Sequence, residues 1–165
     1  MAFNDVRLSD EDGGKIATRT WRTEAGSTPI FAGEPVKQKA FDDFYVIPLA
    51  TGDPFLGGTT PVFGIAKSSS THTATEDGTI EVFLPDPTIL YSARATDPTS
   101  VDTQDKIDMM LGRHVVFDLT GGVYTVDTNM FGSTRFQLII VGGDPVHSMV
   151  YFYIEITASI LGWNT

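Results

Sequence analysis

The chain has 165 residues and no cysteine, which excludes disulfide bonds, thiolate metal sites and a cysteine nucleophile. Its formal net charge is −10, and an acidic protein of this kind repels the phosphates of nucleic acid. The N-terminus lacks the apolar core of a signal peptide and the apolar run near 150–156 is too short for a bilayer span, so we expect one soluble domain made inside a cell.

The first predicted element is an extended N-terminal arm over residues 1–28. Its few large apolar side chains are scattered among Asp, Gly, Thr and Arg. Such a segment buries too little apolar surface to offset the entropy lost on ordering, so we expect it to become ordered on a partner. The alternative is that Ile16–Arg22 adds a strand to the edge of a sheet.

The charge is distributed unevenly along the chain. Residues 1–39 carry six basic and six acidic side chains, whereas residues 40–165 carry five basic and fifteen acidic ones. The whole acidic excess therefore lies in the second region, and we infer that the two regions face different surroundings. One stretch of the arm is basic and aromatic and free of acids: Lys15, Arg19, Trp21 and Arg22. It suits contact with phosphate or an acidic protein surface; the alternative is a solvated tail.

From residue 29 onwards, short β-branched and aromatic runs alternate with turn clusters rich in Gly, Pro and Asp. This pattern predicts a mainly β domain over residues 29–165. The predicted strands are Pro29–Ala32, Phe44–Leu49, Pro61–Lys67, Thr79–Leu84, Thr88–Ala95, Arg113–Leu119, Val123–Asp127, Thr134–Val141 and Met149–Ser159.

The last two predicted strands form a hairpin, joined by a turn at residues 142–145. Apolar residues alternate with others in both strands, which is typical of a sheet with one buried face. The apolar positions are Phe136, Leu138 and Ile140 in the first strand and Val150, Phe152, Ile154 and Ile156 in the second.

One short helix is predicted before this hairpin. Asp102 or Thr103 is its N-cap, and Gly112 ends it. The i, i+3, i+4 spacing of Ile107, Met110 and Leu111 gives it one apolar face.

No motif in the sequence predicts a catalytic residue, a cofactor or a metal site, so we expect no enzyme activity. The Gly-rich run before Lys67 resembles a phosphate loop, but Ala66 stands where that loop needs Gly. The three histidines have no ligand-spaced partners, and no acidic group has the order of a calcium loop. A glycosidase pair of carboxylates from distant strands stays open, because only the fold sets their separation.

Four segments between residues 30 and 85 share a distinctive succession of turns and strands. They are Ala32–Lys37, Val46–Leu49 with Gly52-Asp53, Phe63–Ala66 and Asp77–Val82. Together they resemble the small capsid decoration or cement proteins of tailed bacteriophages, in which comparable "AGEPV", "GIA" and "DGxxxV" patterns recur. The resemblance covers about a third of the chain.

The resemblance implies a single antiparallel β-barrel or β-sandwich domain, β-tulip-like, that binds the outer surface of a capsid. Such proteins commonly act as trimers and clamp neighbouring capsid subunits. We therefore expect the major capsid protein and further copies of the chain as partners, and a location in the virion. We expect residues 1–40 to supply the capsid contacts, with Trp21 and Phe31 as apolar anchors and Arg19 and Arg22 as ion-pair partners. For Trp21, packing onto its own domain is the alternative.

Two other functions stay open. One is a carbohydrate-binding or adhesin module, which would place exposed aromatic side chains beside acids in a groove. The other is a different virion component, such as a minor capsid or tail protein, which copy number would separate from a decoration protein.

Overall fold

The computed structural model describes residues 7–10, 18–39, 44–50, 62–131 and 138–155. In chain order its strands are β1 (Arg7–Asp10), β2 (Thr18–Thr23), β3 (Pro35–Gln38), β4 (Val46–Pro48), β5 (Gly64–Ala66), β6 (Gly78–Phe83), β7 (Leu90–Arg94), β8 (His114–Thr120), β9 (Val123–Asp127), β10 (Leu138–Asp144) and β11 (Met149–Ile154). A 3₁₀ turn, Pro98–Val101, precedes the helix α1, Gln104–Asp108. The predicted mainly β fold with one short helix is confirmed.

Six strands form the larger of two antiparallel sheets, in the spatial order β1-β7-β11-β10-β8-β9. The sheet curves back on itself, because Ala95, directly after β7, bridges Val126 in β9. The amide of Thr96 reinforces this closure by donating to the Val126 carbonyl over 2.8 Å. We call this nearly closed sheet the large barrel.

Aromatic rings fill the centre of the large barrel. Tyr91 and Phe152 are fully buried and stack with their ring centroids 5.9 Å apart. Phe117 meets Phe152 edge to face at 5.6 Å, a favoured aromatic geometry. This core extends beyond the barrel, since Leu49, which follows β4, and Ile65 of β5 belong to the same buried cluster.

The remaining five strands form the small sheet, in the order β2-β6-β5-β3-β4. Its two edge strands approach each other where Arg22 of β2 bridges Tyr45, the residue before β4. A second buried cluster lies within it: Ile30, Val36, Val46, Phe63, Ala66, Ile80 and Val82. The chain therefore folds as two curved sheets that share apolar packing where they meet.

The described part of the predicted arm lies within these sheets, which differs from an extended arm. β1 pairs with β7, and β2 pairs with β6 along its whole length. The alternative prediction, that this segment adds a strand to a sheet edge, is therefore the one seen: β2 is an edge strand of the chain's own small sheet. The arm has few apolar residues of its own, but a distant residue supplies an apolar contact, because Trp21 packs on Phe63.

The predicted strand Pro29–Ala32 is wrong, because the chain turns there. The amide of Glu34 donates to the carbonyl of Phe31 over 3.1 Å, and Gly33 has a φ of 89°. This left-handed conformation favours glycine and ends any extended run. The strand β3 begins only afterwards, at Pro35.

The predicted C-terminal hairpin is confirmed for the residues that the structure describes, although its turn lies further along the chain. Gly142 and Gly143 belong to β10, and the turn occupies residues 145–148. The register between β10 and β11 shifts between Ile140 and Gly142, so a bulge lies directly before the predicted turn, and the chain continues as a strand through that turn. Positions 134–137 and 156–159 of these two predicted strands lie outside the described residues.

The helix α1 is confirmed, with one residue of its apolar face misplaced. The hydroxyl of Thr103 accepts from the amide of Lys106, which makes Thr103 the N-cap. Ile107 is buried and Met110 packs against the core, but Leu111 is half exposed. The helix ends at Asp108, so Leu111 falls in the following turn, where Gly112 has a φ of 76°.

Candidate functional site

Three of the predicted contact residues lie together on β2. The indole of Trp21 packs edge to face on Phe63 with ring centroids 4.4 Å apart, and its N–H is buried without a partner among the described residues. The guanidinium of Arg19 lies 4.6 Å from the centre of the Trp21 ring. Trp21 is thus engaged within its own domain, as the alternative interpretation expected, while Arg19 stays exposed.

Arg22, the third of these residues, belongs to a polar cluster that joins the two edges of the small sheet. We call Arg22, Tyr45 and Asp77 the seam. Arg22 Nη2 and the Tyr45 hydroxyl both donate to Asp77 Oδ2, over 2.8 and 2.6 Å. The amide of Ala25 donates to the other carboxylate oxygen over 2.9 Å. The guanidinium also lies 4.8 Å from the centre of the Tyr45 ring.

The seam shifts the pKa values of two of its members in opposite directions. The hydrogen bond from Tyr45 is the main cause that lowers the pKa of Asp77, and the amide of Ala25 and the Arg22 charge act in the same direction. The same bond raises the pKa of Tyr45, because a phenolate would lose it. Arg22 and Asp77 are solvent-accessible, so the seam fixes geometry more than it adds stability.

The glycines of the turn-and-strand segments allow backbones to approach closely. A Cβ at Gly64 would lie 2.1 Å from the carbonyl oxygen of Phe83, and one at Gly78 would lie 2.1 Å from the amide nitrogen of His72. No side chain fits at either distance. These two positions therefore fix how the strands of the small sheet pack.

A cleft of about 690 Å³ lies where the small sheet meets the large barrel. Its walls are mostly apolar, and three charged side chains line it. Its lining includes Pro29, Phe31, Ile47, Pro48, Leu49, Leu119 and Tyr124 together with Glu24, Glu34 and Lys39. The buried hydroxyl of Tyr124 donates to the carbonyl of Leu49 over 2.6 Å and ties the two walls together. Phe31, the fourth predicted contact residue, thus belongs to the cleft and is 37% exposed.

Glu34 is the chemically unusual residue of the cleft, because it is only 3% exposed. Its Oε2 accepts from the amide of Phe31 over 2.9 Å, across the turn before β3. Among the residues that the structure describes, no basic side chain forms an ion pair with it. Burial raises the pKa of the Glu34 carboxyl, and the hydrogen bond from Phe31 opposes that change.

The two other charged residues of the cleft are already paired. Lys39 Nζ donates to Glu24 Oε2 in a direct ion pair. Counting Glu24, Glu34 and Lys39, these charged lining groups carry one excess negative charge when ionised. That excess is concentrated on Glu34, inside mainly apolar walls.

A serine and a histidine also lie next to the cleft, but their geometry does not suit nucleophilic catalysis. His72 Nε2 lies 3.0 Å from the carbonyl oxygen of Ser27, which can only accept, so the ring proton is on Nε2. The Ser27 hydroxyl donates to the carbonyl of Glu24 over 2.7 Å. The nitrogen nearest to the hydroxyl therefore cannot take its proton, as a general base must.

The described ranges contain no cluster of three or more His, Asp or Glu side chains placed to hold a metal ion. No helix within these ranges has the length and apolar character to cross a bilayer.

Neither a protein-family model nor a curated protein matches the chain. The sequence analysis did not predict the seam or the cleft. Tyr45, Asp77 and Glu34 lie in ordinary turn and strand patterns, and nothing near them indicates a functional site. It also missed Phe44, which is 70% exposed directly before Tyr45 of the seam. The sequence feature that could have drawn attention to Phe44 is its position among acidic and aromatic residues at the start of a predicted strand.

Proposed function

We propose that the chain is a structural virion protein that binds the outer surface of a phage capsid and clamps neighbouring capsid subunits. One observation carries the proposal. The four segments that resemble decoration proteins, although scattered over residues 30–85, supply the adjacent strands β6-β5-β3-β4 of the small sheet. They therefore make one structural unit, as a shared family fold requires.

Exposed side chains on the small sheet support a contact role. Phe44 is 70% exposed and lies beside the seam, and Arg19 is exposed on β2. Aromatic and arginine side chains are enriched among the residues that dominate protein interfaces. A stable interface removes roughly 1,200–2,000 Å² from water, so a capsid subunit would cover much of this sheet. We propose a trimer, with further copies contacting through the acidic large barrel.

Binding to shells tests this proposal with a matched pair of variants. The protein is incubated with shells of the phage that encodes it, stripped of this protein, and sedimented with them. Phe44→Asp on the small sheet should weaken binding at least tenfold. Val146→Asp, in the turn of the large barrel and 82% exposed, is the control that should bind as the parent does.

Two outcomes would contradict the proposal. No co-sedimentation of the parent protein at any concentration would remove the capsid as partner. Loss of binding in Val146→Asp with full binding in Phe44→Asp would place the contact on the large barrel. Deletion of residues 1–28 would test an extended arm, but it is unsuitable here. It would remove β2, and with it the Trp21 side chain that packs on the core of the small sheet.

The cleft is the observation that favours the second candidate, a carbohydrate-binding module. It places the partly exposed ring of Phe31 beside Glu24 and Glu34. Aromatic faces and carboxylates are groups that can hold a sugar, by stacking and by accepting hydroxyl protons. Binding of the isolated protein to a glycan array, abolished by Phe31→Ala, would support this candidate against the capsid proposal.

A further inference from the structure

We propose that the cleft between the small sheet and the large barrel receives a lysine or arginine side chain from a partner protein, whose cationic head pairs with Glu34. The proposed function names that partner as a capsid subunit.

The two oxygens of the buried Glu34 carboxylate differ in their hydrogen bonding. One oxygen is used by the amide of Phe31, and no described residue donates to the other. A carboxylate offers about four acceptor positions, so the described donors of the chain occupy only part of its capacity. A buried carboxylate without a cation is costly, and pairing with a donor that carries positive charge removes that cost.

The charged side chains that line the cleft favour a cation over an anion. Lys39 is the basic residue among the described lining of the cleft, and it is paired with Glu24. A cation that enters would therefore meet one excess negative charge and no unpaired positive charge from these lining groups. The same excess negative charge would repel an anionic ligand.

The walls of the cleft are mainly apolar. Leu49, which follows β4, and Leu119 of β8 both line it, and Phe31 and Pro48 extend the apolar surface. Lysine and arginine bury their methylene stems on such surfaces while their heads reach a polar partner. The volume of about 690 Å³ is within the range of ligand pockets, so it also admits the backbone that carries the side chain.

Small amines test the cleft directly, without any capsid. The ¹⁵N-labelled full chain is titrated with n-butylammonium chloride and with n-butylguanidinium chloride, and n-butanol is the control with the same stem and no charge. We expect saturable shifts of the Phe31 amide resonance with both cations, because its N–H donates to Glu34. Butanol should give a shift at least tenfold smaller at equal concentration.

Two variants separate charge from structure. Glu34→Gln keeps an oxygen that can accept from Phe31 and removes the charge, so it should fold and should bind both cations at least tenfold more weakly. Glu81→Gln is the matched control, because it also removes a paired carboxylate but lies outside the lining of the cleft, and it should bind both cations as the parent does. Binding by the parent should also weaken as the pH falls and Glu34 takes up a proton. The positive charge of the N-terminus also acts on the Glu34 carboxyl and lowers its pKa, and Glu24 and Lys39 are the other charged groups of the lining.

The proposal is overturned if butanol shifts the Phe31 amide as strongly as butylammonium, or if Glu34→Gln binds the cations as well as the parent chain. Failure of the proposed function gives a different result. In that case the amines bind at Glu34 as expected, but shells do not bind the parent protein.

Discussion

Replacement of Gly64 by alanine is the most direct perturbation of the small sheet. The new Cβ would lie 2.1 Å from the Phe83 carbonyl oxygen and 2.6 Å from Val82 Cγ1, whereas a carbon and an oxygen in contact lie about 3.3 Å apart. β5 would have to move away from β6 by about 1 Å. Overpacking of a core costs about 1–3 kcal/mol, and the φ of +155° at Gly64, which favours glycine, adds about 1–2 kcal/mol.

We therefore expect Gly64→Ala to lower the free energy of unfolding by about 2–5 kcal/mol and the Tm by roughly 10 °C. Gly112→Ala is the matched control, because Gly112 also has a positive φ, +76°, but nothing lies within 4 Å of its Cβ position. It should lose only about 1–2 kcal/mol from backbone strain. Thermal and urea unfolding followed by circular dichroism measure both variants. Equal losses in the two would refute the close approach of β5 and β6.

Two further predictions concern the joins between elements. Tyr124→Phe should destabilise the protein by about 1–2 kcal/mol in urea unfolding, because the buried carbonyl of Leu49 loses its donor; an unchanged midpoint would show that another group satisfies it. For the seam, the folded-state pKa of Asp77 lies below its unfolded value of about 3.9, so its contribution to stability is present above that pH and is lost as the pH falls through the folded-state pKa. Asp77→Asn should therefore show a weaker loss of Tm on acidification below about pH 4 than the parent, and parallel pH profiles would contradict the role of the seam.

Local signals in the sequence were sufficient where each element forms from its own residues. The Gly121-Gly122 turn has two positive φ values, as a tight hairpin turn requires, and β9 begins directly after it at the predicted residue. The N-cap of α1 is similarly local, since Thr103 needs only the amide three residues later. In both cases the physical cause lies within a few residues of the effect.

The remaining features depend on contacts between residues far apart in the chain. β2 looked like an arm because the partner of Trp21 is Phe63, 42 positions further on. The seam joins Arg22 to Asp77 across 55 positions, and nothing near either residue marks that pairing. Nothing near Glu34 in the sequence marks it as buried, yet in the fold it is only 3% exposed and lines the cleft together with residues of the large barrel.

A reconstruction of the particle that carries this protein would test the central claim most directly, namely that it works by contact with a capsid. The account predicts density for the protein on the outer face of the shell, in a copy number close to that of the major capsid protein. The small sheet should face the capsid, with Phe44 at the contact and a basic side chain of a capsid subunit beside Glu34. Density confined to the tail, or no density for the protein on any particle, would contradict the account.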